Sequence, residues 1–145
     1  MPEELLKKTY TIYSHNFDTA GEVSTEIKSI LKGLLIDAGI LRRAVIVAFE
    51  AEMNVVMYAK VGMLTFVITE EAINIEVADE GPGIPDIEQA MQEGFSTARD
   101  EFRDLGFGFG MGLPNIKKNS DFLAIQSEVG KGTTVTARIL LNSNG

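Results

Sequence analysis

Two glycine-rich segments hold the residue types best suited to binding a charged small molecule. The first, residues 79–85 (DEGPGIP), follows an alternating stretch at 73–78 that is typical of a half-buried strand. Glycine allows a ligand to approach the backbone and proline fixes φ, so this segment is predicted to be a rigid turn with the Asp79 carboxylate at its mouth. The second, residues 106–112 (GFGFGMG), has a glycine at every second position and precedes a predicted helix. Backbone N–H groups in such a turn suit phosphate, so a nucleotide between the two segments is predicted.

A predicted helix at about 41–59 supplies a further carboxylate. Its residues 44–49 are apolar nearly all round, which predicts burial. Glu50 and Asn54 are four residues apart and therefore lie on one face of this helix. A carboxylate in a buried helix is costly unless it has partners or a chemical role. The neighbouring Glu52 is predicted to be solvated on another face.

The order of predicted elements favours an α+β fold. Alternation predicts strands, three- and four-residue apolar steps predict helices, and Gly39 is expected to end the first helix. The predicted elements are a strand at 8–17, a helix from 22 to about 38, the helix at 41–59, a hairpin of strands at 64–69 and 73–79, a short helix capped by Asp86 and reaching Gln92, a lid at 94–111, a helix at 113–119, and strands at 122–127 and 133–141. This order predicts one domain, residues 1–145, a two-layer sandwich with helices on one face of a mixed, mostly antiparallel sheet.

Composition narrows the functional classes. The 145 residues include no cysteine, so disulfides and thiolate metal sites are excluded, and the one histidine, His15, argues against a histidine-based metal centre. The net charge of −8 argues against a nucleic-acid surface. We expect a cytoplasmic chain without a membrane span, because no segment is long and apolar enough and the start lacks the pattern of a signal peptide.

Several common nucleotide motifs are absent. The Walker A pattern does not occur, because Gly130-Lys131-Gly132 has neither its spacing nor its hydroxyl. The two-residue step of the glycine ladder does not match the Rossmann pattern. The His-Arg-Asp and Asp-Phe-Gly motifs of eukaryotic-type kinases are missing as well.

Four motifs in order resemble those of one ATPase superfamily. They are Glu50-x-x-x-Asn54, Asp79-x-Gly81-x-Gly83, Gly108-x-Gly110-x-Gly112 and Gly130-x-Gly132-Thr133-Thr134. These look like the N, G1, G2 and G3 boxes of the GHKL (Bergerat-fold) ATPases, over about residues 8–141. Within this superfamily the chain is most similar to the bacterial RsbT/RsbW-type serine/threonine protein kinases and anti-sigma factors of partner-switching systems. Residues 84–97 and 127–135 especially resemble the RsbT-type switch-protein kinase.

The resemblance implies a binding site for ATP and Mg²⁺. Asp79 would accept the adenine amine, with Thr134 assisting through water, and the amide oxygen of Asn54 would bind Mg²⁺. Glu50 would be the general base near the γ-phosphate. From the residues alone, Asp79 as a turn cap and Glu50–Asn54 as a polar pair stay open. The implied nucleotide-binding residues are Asn54, Asp79, Gly81, Gly83, Ile84, Thr97, Gly108, Gly110, Met111, Gly112, Leu113 and Thr134.

The same resemblance implies protein partners. The leading hypothesis is a serine/threonine protein kinase that phosphorylates a small STAS-type antagonist. One alternative is a nucleotide-gated anti-sigma factor, with a sigma factor as partner, or another ATP-sensing binding module without kinase activity. Another is a detached histidine-kinase catalytic domain. Apolar residues of the first strand and first helix suit either a core or a homodimer surface.

Overall fold

The computed structural model describes residues 3–92 and 112–141. Its elements are β1 (Glu4–Tyr13), α1 (Glu22–Gly33), α2 (Ala38–Tyr58), β2 (Val61–Thr69), β3 (Ala72–Glu80), α3 (Ile87–Ala90), α4 (Gly112–Lys118), β4 (Phe122–Glu128) and β5 (Gly132–Leu140). The five strands form one sheet in the order β1-β2-β3-β5-β4. The predicted α+β class and element order are confirmed, but every pairing among the described strands is antiparallel, so the sheet is not mixed.

The alternating sequences of β2 and β3 place one apolar face of the sheet toward the helices. Leu64 pairs with Val77 and Phe66 with Ile75, and all four side chains are buried. Because side chains alternate between the faces of a strand, Thr65 and Glu76, which also pair, lie on the opposite face. The hydrophobic core therefore fills the space between this face of the sheet and the helices.

The boundary between the first two helices differs from the prediction. Helix α1 ends at Gly33, and α2 begins at Ala38, so Gly39 lies in the first turn of α2 instead of ending α1. The Asp37 carboxylate caps α2 by accepting hydrogen bonds from the N–H groups of Gly39 (3.0 Å) and Ile40 (3.2 Å). Leu35 between the helices has a φ of 58°, which interrupts the helical path.

The prediction that Glu52 is solvated is wrong. Its side chain is 2% exposed, and its carboxylate accepts hydrogen bonds from the backbone N–H groups of Gly21 (2.9 Å), Val23 (3.4 Å) and Ser24 (3.1 Å). The first N–H groups of a helix have no partner within it, and a negative charge there is favourable. Glu52 therefore joins α2 to the start of α1.

Two further features of the fold concern the site. Helix α4 packs on α2, and Asp86 caps α3, since its Oδ1 accepts a hydrogen bond from the Gln89 N–H at 3.0 Å. The predicted lid, with Thr97, Gly108, Gly110 and Met111, lies outside the described residues. Among the helices that the structure describes, none has the length and apolar character needed to cross a membrane.

Candidate functional site

The Asp79 carboxylate stands near the end of β3, where the glycine-rich turn begins. Its Oδ1 accepts a hydrogen bond from the Thr133 N–H of β5 at 3.1 Å, whereas none of the described residues donates to Oδ2. Burial raises the pKa of Asp79, and the bond from Thr133 opposes part of this increase. Asp79 is thus a partly desolvated carboxylate with one oxygen held by the fold and the other available to a ligand that donates a hydrogen bond.

The turn after Asp79 is packed too closely for side chains. A methyl group at Gly81 would lie 3.1 Å from Ala59 Cα and 3.2 Å from Asp79 Oδ1. Gly83 has a φ of +78°, and a methyl group there would overlap the carbonyl group of Glu128 and lie 2.8 Å from Val129 Cα. Gly83 therefore requires glycine, because its backbone lies directly against the β4–β5 turn, whereas a side chain at Gly81 would require Ala59 and Asp79 to shift by a few tenths of an ångström.

Three hydrogen bonds hold this turn against the β4–β5 turn. The Gly130 N–H donates to the Pro82 carbonyl at 2.8 Å, and the Gly81 N–H donates to the Lys131 carbonyl at 3.2 Å. The Ile84 N–H donates to the Ser127 hydroxyl at 2.7 Å. The turn that carries the Asp79 carboxylate is therefore preorganised by the neighbouring hairpin.

A second set of polar side chains lies where the start of α4 packs against α2. A methyl group at Gly112 would lie 2.9 Å from Asn54 Oδ1 and 3.4 Å from Glu50 Oε2, so both side chains reach the same point. Burial raises the pKa of Glu50, and a side-chain hydrogen bond from Asn115 partly opposes it. Glu50, Asn54 and Gly112 thus form one partly buried cluster.

Helix α2 connects the two polar groups. Ala59, which follows its last residue, contacts Gly81, whereas Glu50 and Asn54 lie earlier on the helix. At 1.5 Å per residue, Glu50 and Ala59 are about 13 Å apart along the axis. That separation suits an elongated ligand that has a hydrogen-bond donor at one end and a phosphate chain at the other.

The remaining described candidates lie close to these groups. Ile84 is bonded to Ser127, and Leu113 packs against the core as the second residue of α4. Thr134 is partly buried on β5 opposite Ala78 and makes no direct hydrogen bond to Asp79, which is bonded by the neighbouring Thr133. Ser127, Thr133 and Asn115 were not among the site residues that sequence reasoning identified.

Signals for the missed residues were weak. Thr133 lies within the Gly-x-Gly-Thr-Thr motif, but only the register of β5 selects its N–H over that of Thr134. Asn115 lies three residues after the last glycine of the ladder, and Ser127 occupies an ordinary strand position. Their roles depend on contacts between distant parts of the chain.

Comparison with known proteins adds to this geometry. A family model described as "Histidine kinase-, DNA gyrase B-, and HSP90-like ATPase" matches residues 39–143. The chain is 34% identical over 92 residues to the serine/threonine-protein kinase RsbT of Bacillus subtilis, an alignment that covers 61% of this chain and 63% of RsbT. It is 41% identical over 91 residues to an anti-sigma F factor of Caldanaerobacter subterraneus, covering 59% of this chain and 60% of the relative.

A longer alignment exists with a third protein. The chain is 29% identical over 133 residues to an anti-sigma F factor of Geobacillus stearothermophilus, which covers 92% of this chain and 80% of that protein. With the first two relatives, in contrast, the alignments span only about three fifths of the relative's length. The relatives therefore carry two kinds of name, a kinase and an anti-sigma factor.

Proposed function

Because the chain belongs to the family of histidine kinase-, DNA gyrase B- and HSP90-like ATPases, we propose that it is an ATP- and Mg²⁺-dependent serine/threonine protein kinase. Its substrate is a small regulatory protein, of the STAS-type antagonist class, in a partner-switching pathway. The observation that carries the proposal is the Glu50 carboxylate, which is partly buried beside Asn54 and the start of α4. The kinase name of the relative RsbT supports the choice of reaction.

The adenine end of the nucleotide is assigned to Asp79. A carboxylate accepts hydrogen bonds only, so its Oδ2 suits the exocyclic amine of adenine, while Oδ1 stays bonded to Thr133. Gly81 and Gly83 carry no side chain, so a base can approach the backbone of the turn closely. Thr134 assists from β5 through water.

The phosphate end is assigned to the start of α4 and to the helix face that carries Glu50 and Asn54. ATP supplies the phosphoryl group, and Mg²⁺ neutralises charge on its oxygens. Asn54 offers a neutral amide oxygen to the metal, and the backbone N–H groups of residues 108–112 donate to the phosphates. Glu50 accepts the proton of the substrate hydroxyl, and its raised pKa makes it a stronger base than an exposed carboxylate.

A second candidate function is a nucleotide-gated anti-sigma factor. It is favoured by the alignment with the anti-sigma F factor that covers 92% of this chain. In that case ATP sets the conformation that holds a sigma factor, and Glu50 is not needed for binding the partner. The chain acts in the cytoplasm in both cases, and a homodimer is compatible with both.

The test compares wild type with Glu50→Ala in the presence of γ-labelled ATP, Mg²⁺ and an extract of the source organism. Calorimetry first establishes that both proteins bind ATP, and Glu70→Ala, in the exposed turn between β2 and β3, is the matched control. The kinase hypothesis predicts one acid-stable labelled protein with wild type and with the control, and its loss with Glu50→Ala.

The other outcomes separate the alternatives. No labelled protein despite sound ATP binding contradicts the kinase hypothesis under these conditions. Capture of a partner that depends on ATP and is equal in Glu50→Ala favours the anti-sigma factor. An acid-labile phosphoprotein points instead to a histidine-kinase catalytic domain.

A further inference from the structure

Asn115 is a polar residue held between two buried neighbours on α4. Pro114 is buried and Ile116 has 0% exposure, so packing against the core fixes the helix on both sides of Asn115. The side chain of Asn119 donates a hydrogen bond to the Asn115 carbonyl at 2.8 Å and closes the last turn. The direction of the Asn115 side chain is therefore set by the packing of α4.

Asn115 lies three residues after Gly112, and therefore on the face of α4 that meets Glu50 Oε2. A side-chain hydrogen bond with Asn115 opposes part of the rise in the pKa of Glu50. An ionised carboxylate only accepts hydrogen bonds, so the amide NH₂ of Asn115 is the donor. A glutamate side chain has several rotatable bonds, and a fixed donor at its end selects one orientation. Gly112 lies close to Glu50 Oε2, which limits the other side-chain conformations that are open to Glu50.

We infer that Asn115 is a positioning residue, which orients the Glu50 carboxylate toward the hydroxyl group of the protein substrate. This inference rests on the proposed function, in which Glu50 is the general base. In this role Asn115 acts through Glu50 and not by its own contact with nucleotide or substrate. A base that is displaced by about 1 Å loses on the order of 100-fold in rate, so the contribution of such a contact is measurable.

The kinetic test uses Asn115→Ala with Asn119→Ala as the matched control. The control removes one hydrogen bond from the same helix and leaves the amide that contacts Glu50. We expect Asn115→Ala to lower kcat for phosphotransfer by about 10- to 100-fold, with the Kd for ATP unchanged. In a Glu50→Ala background the same substitution causes no further loss, because the two residues act as one unit.

A full kcat in Asn115→Ala, or equal further losses in the wild-type and Glu50→Ala backgrounds, overturns the inference. A merely structural role of Asn115 would lower activity and ATP affinity together, and Asn119→Ala would share part of that loss. The split between kcat and Kd distinguishes the two roles.

A second measurement does not depend on kinase activity. In a ¹⁵N–¹H spectrum of the full chain, the side-chain NH₂ signals of Asn115 are assigned by their loss in Asn115→Ala. The inference predicts that Glu50→Ala shifts these signals, whereas Glu70→Ala does not. Unchanged signals overturn it. If wild type phosphorylates no protein, the proposed function fails, and this comparison alone decides whether Asn115 orients Glu50.

Discussion

The Asp79 carboxylate divides its two oxygens between the fold and the proposed ligand. Oδ1 is bonded to the Thr133 N–H, so rotation of the carboxylate is restricted and Oδ2 has a defined direction. The same group is partly desolvated, which raises its pKa and strengthens any hydrogen bond that it accepts. Under the proposed function, a single side chain provides both the turn contact and the base specificity, two roles that the sequence left as alternatives.

Asp79→Asn is predicted to weaken ATP binding by about 10- to 100-fold, the loss expected for a hydrogen bond to a charged group. The asparagine oxygen will remain on the Thr133 N–H, which turns its NH₂ toward the adenine amine and places two donors face to face. The Kd values for ATP and GTP from calorimetry check this. Because guanine has an oxygen at the corresponding position, the preference for ATP over GTP should also shrink.

The matched control for this prediction is Glu80→Gln, at the exposed neighbouring position. It removes a carboxylate of the same segment without changing the contact to Thr133. Equal ATP affinity in wild type and Asp79→Asn would contradict the adenine assignment.

At the scale of elements, the segment after β3 depends on the turn between β4 and β5. The hydrogen bonds from Gly130, Gly81 and Ile84 join the two segments, and Gly83 permits their close approach. Short loops that are held in this way retain their shape before a ligand binds, which lowers the entropic cost of binding. The β4–β5 hairpin therefore supports the site, although its only proposed contribution to the ligand is the water-mediated one from Thr134.

Two glycine substitutions separate steric contact from backbone strain. Gly83 and Gly130 have φ values of +78° and +84°, so alanine at either position costs roughly 1–2 kcal/mol. Only Gly83 lies against other atoms, because a methyl group at Gly130 has nothing within 4 Å. Gly83→Ala is predicted to weaken ATP binding at least about tenfold more than Gly130→Ala, since it pushes the two turns apart.

The measurement is the Kd for ATP of each variant, together with the urea midpoint for unfolding. A similar decrease in ATP affinity in both variants would show that strain, and not the contact with Glu128, controls the turn.

At the scale of the whole molecule, the two carboxylates of the site lower the stability of the native state. Burial raises the pKa of both Glu50 and Asp79, so each carboxylate is less favourable in the native state than in the unfolded chain when ionised. The hydrophobic core of the same fold contains fully buried side chains, such as Val55 and Phe66. The apolar core therefore supplies the stability that allows two partly desolvated charges to remain.

Glu50→Gln is predicted to raise the Tm at pH 7 by a few degrees. The native pKa of Glu50 lies above its ordinary value of 4.5, so the native state binds the proton more tightly than the unfolded chain does. The free energy of unfolding consequently falls as pH rises from 4.5 through the raised native pKa, and it stays lower above that value. Glutamine does not ionise, so it avoids this loss of stability, and its amide oxygen can still accept a hydrogen bond from Asn115.

Thermal unfolding at pH 4 and pH 7 tests the sign. The advantage of Glu50→Gln should be present at pH 7 and nearly vanish at pH 4, where Glu50 is neutral in the native state. Glu70→Gln, in an exposed turn, should show no such difference. A variant that is less stable than wild type at pH 7 would contradict the assigned direction.

The sequence by itself determined the local structure and the family. Alternation in residues 64–69 and 73–79 predicted the central hairpin, and the ordered glycine motifs predicted a nucleotide site of the GHKL type. These features depend on short-range periodicity and on backbone freedom, both of which can be read from neighbouring residues. The position of Asp79 near the end of β3 and the shared helix face of Glu50 and Asn54 follow from the same patterns.

Only the tertiary structure decided which residues meet. Glu52 bonds to Gly21, 31 residues away, and Thr133 bonds to Asp79, 54 residues away. Such pairs depend on strand register and on how the helices pack, so a local pattern could not distinguish Thr133 from Thr134 or a buried Glu52 from a solvated one. For the same reason, the contact between Asn115 and Glu50 depends on the packing of α4 against α2 and could not be predicted from either helix alone.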